Sequence, residues 1–330
     1  MGATVGFLQS RMAYAPSRKI ILALIALAVF TVGLIVSLGS TIEIDERWQH
    51  FLSRPGSKPA APTPIADGIP LRVMFLGASV TRGDVSTGNL GYRQPLHEKM
   101  TARGNFVNFV GSQRLGDFPD NDLEAYPGNR VDQVHEHATH IVPQTKPNLF
   151  VLHVGSNDCL QHWDTPNLGK RMRDLINYLF DTSPRATVIM STLMTNTVPD
   201  AERCILDVNI QIRKLASALE REGRPVVMAE MHSEQGLADR PLPKDISPDG
   251  THPYDAGYAM LAEIFWKAIL EADERGFFQP PEDNGVPLDG NAERQEEMLA
   301  AQQKTEQEVQ ALGKIRRRRI RQGGRPGNEV

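Results

Sequence analysis

The chain has 330 residues with 36 Lys and Arg against 40 Asp and Glu, and its formal net charge is −4. Its 40% hydrophobic residues are typical of a globular protein that buries a core, and the charge gives no reason to expect a nucleic-acid partner. Its two cysteines are too few for a disulfide-built scaffold or a four-thiolate zinc site.

The first predicted element is an apolar run at 20–38, which contains no charged side chain. As a helix it would be ~28 Å long, close to the thickness of the hydrocarbon core of a bilayer. Basic residues precede it and acidic residues follow it. The positive-inside rule therefore predicts a cytoplasmic segment at 1–19, a transmembrane signal-anchor at 20–38 and a lumenal or extracellular remainder of a type II protein. A cleaved signal peptide is the alternative, and it would give a secreted protein.

Residues 39–70 are predicted to form a spacer. Five prolines lie between Pro55 and Pro70, among Gly, Ala, Ser and Thr. This composition favours extended, polyproline-like structure over regular backbone hydrogen bonding.

From residue 71 onward, short apolar runs alternate with amphipathic stretches, which is typical of βαβ units. Such strands predict a parallel sheet covered by helices on both faces, with any catalytic or binding site at the carboxyl ends of the strands. The predicted domain spans 71–279. Its predicted strands are 71–76, 106–110, 149–154, 187–191 and 225–229, and its predicted helices are 92–102, 131–141, 167–180, 203–222 and 254–272.

Residues 280–330 are polar, lack aromatic side chains and carry a basic run at 314–321. They predict a solvated tail, disordered or partly helical, that hydrolysis does not need. The basic run is similar to a nuclear-localisation patch, but a lumenal topology would make that signal unreadable.

Candidate functional residues follow the predicted strands, at the carboxyl edge of the predicted sheet. Ser79 follows the first strand, Gly128 lies in a turn between the second and third strands, and Asn157 follows the third. Asp249 and His252 stand three residues apart between two prolines, a spacing that can put a carboxylate beside an imidazole. Each segment alone also fits ordinary turn or capping chemistry.

Together these four segments resemble the SGNH (GDSL-type) hydrolases, whose blocks supply Ser, Gly, Asn and an Asp-x-x-His pair in this order. The motifs at 91–93, 109–112 and 124–134 further resemble the acetyl-xylan-esterase-like carbohydrate esterases of that superfamily. The resemblance covers about residues 71–272. It implies a three-layer α/β/α, flavodoxin-like fold with a five-stranded parallel sheet, to which the transmembrane helix is added.

The resemblance implies a catalytic triad in which Ser79 is the nucleophile, His252 the general base and Asp249 the carboxylate that orients it. It also implies an oxyanion hole made by the backbone N–H groups of Ser79 and Gly128 and the side chain of Asn157. A serine hydroxyl needs a base within hydrogen-bond reach before it attacks an ester.

Two positions depart from the family pattern. Ala78 stands where the usual block has Asp, which puts the bracing of the nucleophile loop in doubt. Leu123 replaces a His often found before the Glu of the second block, so a substrate or orienting contact can be missing there.

No metal or cofactor site is predicted. His135 and His137 lie about 200° apart on a regular helix, so they cannot bind one ion together. Asp120, Asp122 and Glu124 alternate like calcium ligands but lack the Gly and terminal Glu of an EF-hand loop.

Three further residues leave alternatives open. Cys159 and Cys204 follow the third and fourth strands, so a disulfide and two separate buried thiols are both compatible with the sequence. Trp163, soon after Asn157, can lie on a sugar ring or simply pack against the domain.

The sequence therefore predicts a serine esterase that removes small acyl groups, in particular acetyl, from an acylated small molecule or polysaccharide. One alternative is an acyltransferase that uses the same triad to acylate a sugar hydroxyl, although a single membrane segment offers no channel for an acyl donor. The other is a non-catalytic carbohydrate-binding protein on a degenerate hydrolase fold.

Overall fold

The computed structural model describes residues 62–232, 239–301 and 303–305. The strands are β1 (Leu71–Gly77), β2 (Val107–Phe109), β3 (Gln113–Arg114), β4 (Asp122–Ala125), β5 (Leu149–His153), β6 (Thr187–Ser191) and β7 (Val226–Ala229). The helices are α1 (Ser79–Arg82), α2 (Arg93–Ala102), α3 (Val131–Thr145), α4 (Ser156–Leu160), α5 (Leu168–Thr182), α6 (Pro199–Arg221), α7 (Asp255–Glu274) and α8, described at 290–301 and 303–305. Short 3₁₀ helices lie at Ile65–Gly68, Thr87–Asn89, Thr165–Asn167 and Pro243–Asp245.

The sheet has the order β3-β4-β1-β5-β6-β7, and β2 also pairs with β1. β2 lies beside the first half of β1 and β4 beside the second half, so two short strands share one position. Counted by parallel positions, the order is 2-1-3-4-5, as in flavodoxin-like folds. The three-layer architecture is confirmed.

The predicted five-stranded parallel sheet needs a correction, because the sheet is mixed and has seven strands. β3 pairs antiparallel with β4. It consists of only two residues, Gln113 and Arg114, and both are exposed. β4 has the sequence Asp-Leu-Glu-Ala, whose two buried carboxylates interrupt the apolar pattern by which a buried strand is identified. Neither strand could therefore be predicted from the pattern of apolar residues.

Two apolar clusters lie on opposite faces of the sheet. Val73 and Phe75 of β1 belong to the cluster that includes α2 and α7, whereas Met74 and Leu76 belong to the cluster that includes α3, α5 and α6. Because successive side chains of a strand point to opposite faces, a strand covered on both sides must be apolar throughout. This burial explains the continuous apolar runs in the sequence.

The chain after α7 packs against the domain, which corrects the prediction of a solvated tail over 281–297. The guanidinium of Arg72, only 2% exposed, donates hydrogen bonds to the carbonyls of Glu282 and Val286 and to the side chain of Asn284. These contacts join the first strand to the segment that follows the last large helix.

Polar contacts also attach this segment to β4, on the side of the sheet where β3 lies. Arg294 forms an ion pair with the carboxylate of Asp122 in β4. A Cβ atom on Gly290 would lie only 2.1 Å from Oδ1 of Asp120, so the start of α8 approaches the domain closely. Backbone carbonyls and ion pairs attach this segment, and a search for apolar side chains could not detect it.

Among the described residues, none of the helices combines the length and the apolar character needed to cross a bilayer. The predicted segments 1–19 and 20–38, and the spacer up to residue 61, lie outside the described residues. Residues 306–330, which include the basic run, also lie outside them.

Candidate active site

The register of three strands brings three of the predicted site residues to one edge of the sheet. Gly77, the last residue of β1, pairs with the last residue of β4 and with the last residue of β5. Ser79, Gly128 and Asn157 each follow one of these strand ends within four residues. Residues that are far apart in the sequence therefore follow strand ends that lie next to one another at the carboxyl edge of the sheet.

Ser79 begins the four-residue helix α1, and a network of hydroxyl groups braces this turn. Ala78 occupies the N-cap position and supplies no side-chain hydrogen bond. Oγ1 of Thr81 instead donates to the carbonyl of His153 at 3.1 Å, and the Tyr92 hydroxyl donates to Thr81 at 2.9 Å. The bracing left in doubt by Ala78 therefore comes from Thr81 and from Tyr92, which lies in the motif at 91–93.

Asp249 and His252 are in direct contact. Nδ1 of the His252 ring lies 2.7 Å from Oδ2 of Asp249. Oδ1 of the same carboxylate accepts the backbone N–H groups of Thr251 at 2.8 Å and His252 at 3.0 Å. Partial burial acts to raise the pKa of Asp249, but these hydrogen bonds outweigh it and hold the pKa well below its usual range. The carboxylate is therefore charged beside the imidazole.

The other ring nitrogen of His252, Nε2, is buried and has no hydrogen-bond partner among the described residues. Two neighbouring loops hold the turn that carries it. The backbone N–H of Thr197, in the segment after β6, donates to the carbonyl of Gly250 at 2.8 Å. Thr87, in the segment after α1, donates its backbone N–H and its hydroxyl to the carboxylate of Asp255. The segments after β6 and α1 thus hold the residues on either side of His252.

Three groups that can donate hydrogen bonds follow the strand ends at this edge. Nδ2 of Asn157 donates to the carbonyl of Asn129 at 3.0 Å, which fixes the amide and leaves its second N–H for another acceptor. Gly128 has φ +79°, a conformation that glycine adopts at little cost. Neither its backbone N–H nor that of Ser79 donates to a described residue. The arrangement can bind a developing negative charge on oxygen.

Next to Asn157, Asp158 forms an ion pair with Arg171 that the sequence analysis does not predict. Asp158 has no exposed surface and accepts hydrogen bonds from the backbone N–H of Val131 at 3.2 Å and from Arg171 at 2.7 Å. Burial raises the pKa of Asp158, and the guanidinium of Arg171 opposes that rise. Gln161 donates to the carbonyl of Gly128 at 2.7 Å. The adjacent Asn157-Asp158 sequence indicates a polar turn, but the partners of Asp158 cannot be predicted from the sequence.

Cys159 and Cys204 form a disulfide, with their Cα atoms 5.5 Å apart. The bond joins α4, which carries Asn157, to α6. Of the two alternatives that the sequence left open, the structure has the disulfide.

The acidic and histidine clusters have protein partners. Asp120 accepts the backbone N–H of Phe109, and Glu124 accepts that of Ser112 at 2.7 Å. His137 stacks on Tyr126 with ring centroids 3.8 Å apart. Within the described ranges no group of three or more His, Cys, Asp or Glu side chains is arranged to hold a metal ion.

The chain is similar to known hydrolases in sequence and structure. Residues 75–260, more than half of the chain, match the model of the GDSL-like Lipase/Acylhydrolase family. A family 3 carbohydrate esterase from Clostridium thermocellum is 25% identical with a TM-score of 0.54, over 62% of this chain and 98% of that one. A family 3 carbohydrate esterase from Talaromyces cellulolyticus is 22% identical with a TM-score of 0.54, over 62% and 99%.

No curated protein sequence matches significantly. The matched range 75–260 contains every predicted catalytic and oxyanion-hole residue. The structural neighbours share the fold over almost their whole length. The chain therefore belongs to the GDSL-like lipase/acylhydrolase family and is a carboxylic ester hydrolase of the SGNH type, similar to carbohydrate esterases.

Proposed function

We propose that the protein is a serine esterase that removes small acyl groups, in particular acetyl, from a carbohydrate. The observation that carries this proposal is the contact between Nδ1 of His252 and Oδ2 of Asp249 at 2.7 Å, which leaves Nε2 of the same ring without a partner among the described residues. A charged carboxylate on Nδ1 fixes the tautomer in which Nε2 can accept a proton.

In the first half of the reaction, Oγ of Ser79 attacks the acyl carbon while Nε2 of His252 takes the hydroxyl proton. The carbonyl oxygen becomes negative and accepts N–H groups from Ser79, Gly128 and Asn157. The imidazolium then gives its proton to the departing sugar oxygen. The products of this step are the free sugar hydroxyl and an acyl ester on Ser79.

In the second half, water attacks the acyl carbon and gives a proton to Nε2 of His252. The tetrahedral intermediate uses the same N–H donors. It collapses when Oγ of Ser79 leaves and regains its proton from the imidazolium. Asp249 stays ionised throughout, because its hydrogen bonds hold its pKa well below the usual range although burial opposes them.

The carbohydrate substrate is supported by the similarity to the family 3 carbohydrate esterase from Clostridium thermocellum. The experiment is hydrolysis of 4-nitrophenyl acetate and of an acetylated xylo-oligosaccharide by the full chain and by Ser79→Ala. We expect release of acetate from both esters by the wild type and from neither by the variant. Acetate release that survives in Ser79→Ala would refute the serine mechanism.

We further propose that the domain is exported and anchored by residues 20–38. The Cys159–Cys204 disulfide supports export, because such bonds persist mainly in oxidising compartments. Protease treatment of sealed vesicles tests the topology, and the domain should be digested only after the vesicles are opened. Digestion from the cytoplasmic face would overturn the proposal. Mature protein that begins near Ser40 would replace the anchor by a cleaved signal peptide.

A further inference from the structure

The indole of Trp163 is held in place although 47% of the residue is exposed. Its Nε1 donates to Oδ2 of Asp132 at 2.9 Å, and the guanidinium of Arg130 lies over the ring, 4.3 Å from its centroid. The backbone carbonyl of Trp163 accepts a hydrogen bond from Arg171 at 3.1 Å. A rigid, exposed aromatic side chain loses little conformational entropy when a ligand covers it, which is why such side chains are common in binding surfaces.

The backbone on both sides of Trp163 is strained. His162 has φ +52° and Asp164 has φ +39°, both in the left-handed region that non-glycine residues rarely adopt. Each such residue costs about 1 to 2 kcal/mol and persists only where its surroundings enforce it. Such strain is concentrated at ligand-binding and catalytic sites. The contacts of Trp163 with Asp132, Arg130 and Arg171 thus hold the indole on a strained segment.

Trp163 lies beside the oxyanion side of the candidate active site. Its backbone N–H donates to the carbonyl of Asp158 at 2.8 Å, and Asp158 directly follows Asn157. Arg130, which covers the ring, stands two residues after Gly128. A group bound on the indole would therefore be adjacent to the donors that hold the reacting carbonyl.

We infer that Trp163 is the platform on which a pyranose ring of the substrate's alcohol part stacks. This inference rests on the proposed esterase function and names the substrate class for that site. The apolar C–H face of a sugar covers an aromatic ring, and the hydroxyl groups at the rim of the sugar can reach polar side chains. Asp132 supplies an acceptor at the edge of the indole, and because the Arg130 guanidinium lies over one face of the ring, the sugar would stack on the other face.

The test compares two esters that share the acetyl group and differ in the alcohol. Steady-state kinetics of the full chain are measured on an acetylated xylo-oligosaccharide and on 4-nitrophenyl acetate. Loss of stacking in Trp163→Ala should raise KM for the oligosaccharide by about tenfold, since tenfold corresponds to the ~1.4 kcal/mol of one good aromatic contact. The kinetic constants for 4-nitrophenyl acetate should stay within about twofold of wild type. Trp163→Phe, which keeps an aromatic face, should recover most of the affinity.

Phe106→Ala is the matched control, because Phe106 is 57% exposed and precedes β2 at the opposite edge of the sheet. It should leave both substrates unaffected. An unchanged KM for the oligosaccharide in Trp163→Ala would overturn the platform. An equal loss of turnover on both esters would also overturn it, because the indole would then be needed to position the catalytic donors.

Binding without turnover separates this inference from the proposed function. The acetylated xylo-oligosaccharide is titrated into Ser79→Ala and into the double variant Ser79→Ala/Trp163→Ala by calorimetry. Binding that is about tenfold weaker in the double variant supports the platform, whatever reaction the site performs. Equal binding overturns the platform and leaves the serine mechanism to its own test.

Discussion

Asp158 and Arg171 form an ion pair at 2.7 Å in which the carboxylate is fully buried and the guanidinium side chain is only 13% exposed. The same carboxylate accepts the first backbone N–H of α3, from Val131. One buried charge therefore joins the loop that carries Asn157 to the turn that follows Gly128. Asp158 and Arg171 are positioning residues, since neither needs to touch the substrate.

Asp158→Asn should lower both stability and turnover. Arg171 keeps its ion pair with Asp132 at 3.1 Å, so the cost of losing the buried carboxylate should be that of one buried, charge-assisted hydrogen bond, about 1 to 3 kcal/mol. Because the oxyanion donors matter mainly in the transition state, kcat should fall while KM changes little. Urea unfolding and steady-state kinetics measure the two effects.

Asp174→Asn, which breaks the exposed pair with Lys170, is the control and should cost less than about 1 kcal/mol. An Asp158→Asn enzyme with wild-type kcat would contradict the positioning role.

Variants of the catalytic set should lose different amounts of turnover. Ser79→Ala and His252→Ala should each lower kcat by about 10⁴-fold or more and combine non-additively, since nucleophile and base act together. Asn157→Ala should cost about 10²- to 10³-fold with little change in KM. Asp249→Asn should fall between these, because the wrong histidine tautomer is favoured. A chelator that abolishes turnover, together with an active Ser79→Ala, would instead require a metal-activated water.

Acid should destabilise the domain through His153. Burial lowers the pKa of this imidazole to about 4, whereas its ordinary value is about 6.5. Between these pH values the unfolded chain binds more protons than the folded one. The contribution is therefore fully present above pH 6.5 and is lost as the pH falls toward 4, by about 3 kcal/mol.

The measurement is the free energy of unfolding in urea between pH 7 and pH 4.5, for the wild type and for His153→Gln. The ring of His153 is fully buried and its Nδ1 lies 2.7 Å from Oγ of Ser191. Glutamine can keep a hydrogen bond there without titrating, so its stability should depend less on pH. Parallel curves for the two proteins would exclude the imidazole as the cause.

Truncation after Gln279 should destabilise the domain. It removes three hydrogen-bond acceptors from the buried guanidinium of Arg72 and removes Arg294, the ion-pair partner of Asp122. Arg72 would keep the carbonyl of Thr145 and Asp122 would keep Arg114, so losing the other partners should cost about 1 to 3 kcal/mol. Thermal unfolding measures the loss.

A longer fragment and a point variant sharpen this test. A chain that ends at residue 305 keeps every one of these contacts and should unfold close to wild type. Gly290→Ala should destabilise the full chain, because its Cβ would lie 2.1 Å from the Asp120 carboxylate. A Gln279 truncation that unfolds at the wild-type temperature would show that the segment contributes nothing to stability.

Reduction of the disulfide should lower stability as well. The two cysteines are 45 residues apart, and the chain-entropy estimate for a loop of this size is about 4 kcal/mol. Dithiothreitol should therefore lower the unfolding midpoint of the wild type but leave that of Cys159→Ser/Cys204→Ser unchanged. A wild-type midpoint that does not respond to the reductant would mean that the bond contributes little.

The predictions succeeded where one physical pattern dominated. The continuous apolar runs reflect strands that are buried on both faces, and three of the four motif blocks follow strand ends that pair with one another. α6 begins at Pro199, four residues before its predicted start, because Pro at the first turn and acidic residues after it begin a helix without an apolar signal. The docked segment after α7 and the Asp158–Arg171 pair could not be predicted, because both depend on polar contacts between residues far apart in the sequence.

The carboxamide of Asn148 donates both to the carbonyl of Pro70, just before β1, and to that of Gln279, just after α7. The chain therefore enters the sheet and leaves its last large helix at one point, at the amino edge of the strands. The seven residues of β1 separate this point from the nucleophile turn by about 20 Å at ~3.3 Å per residue. Pro70 and Gln279 therefore lie together at the end of the domain away from Ser79.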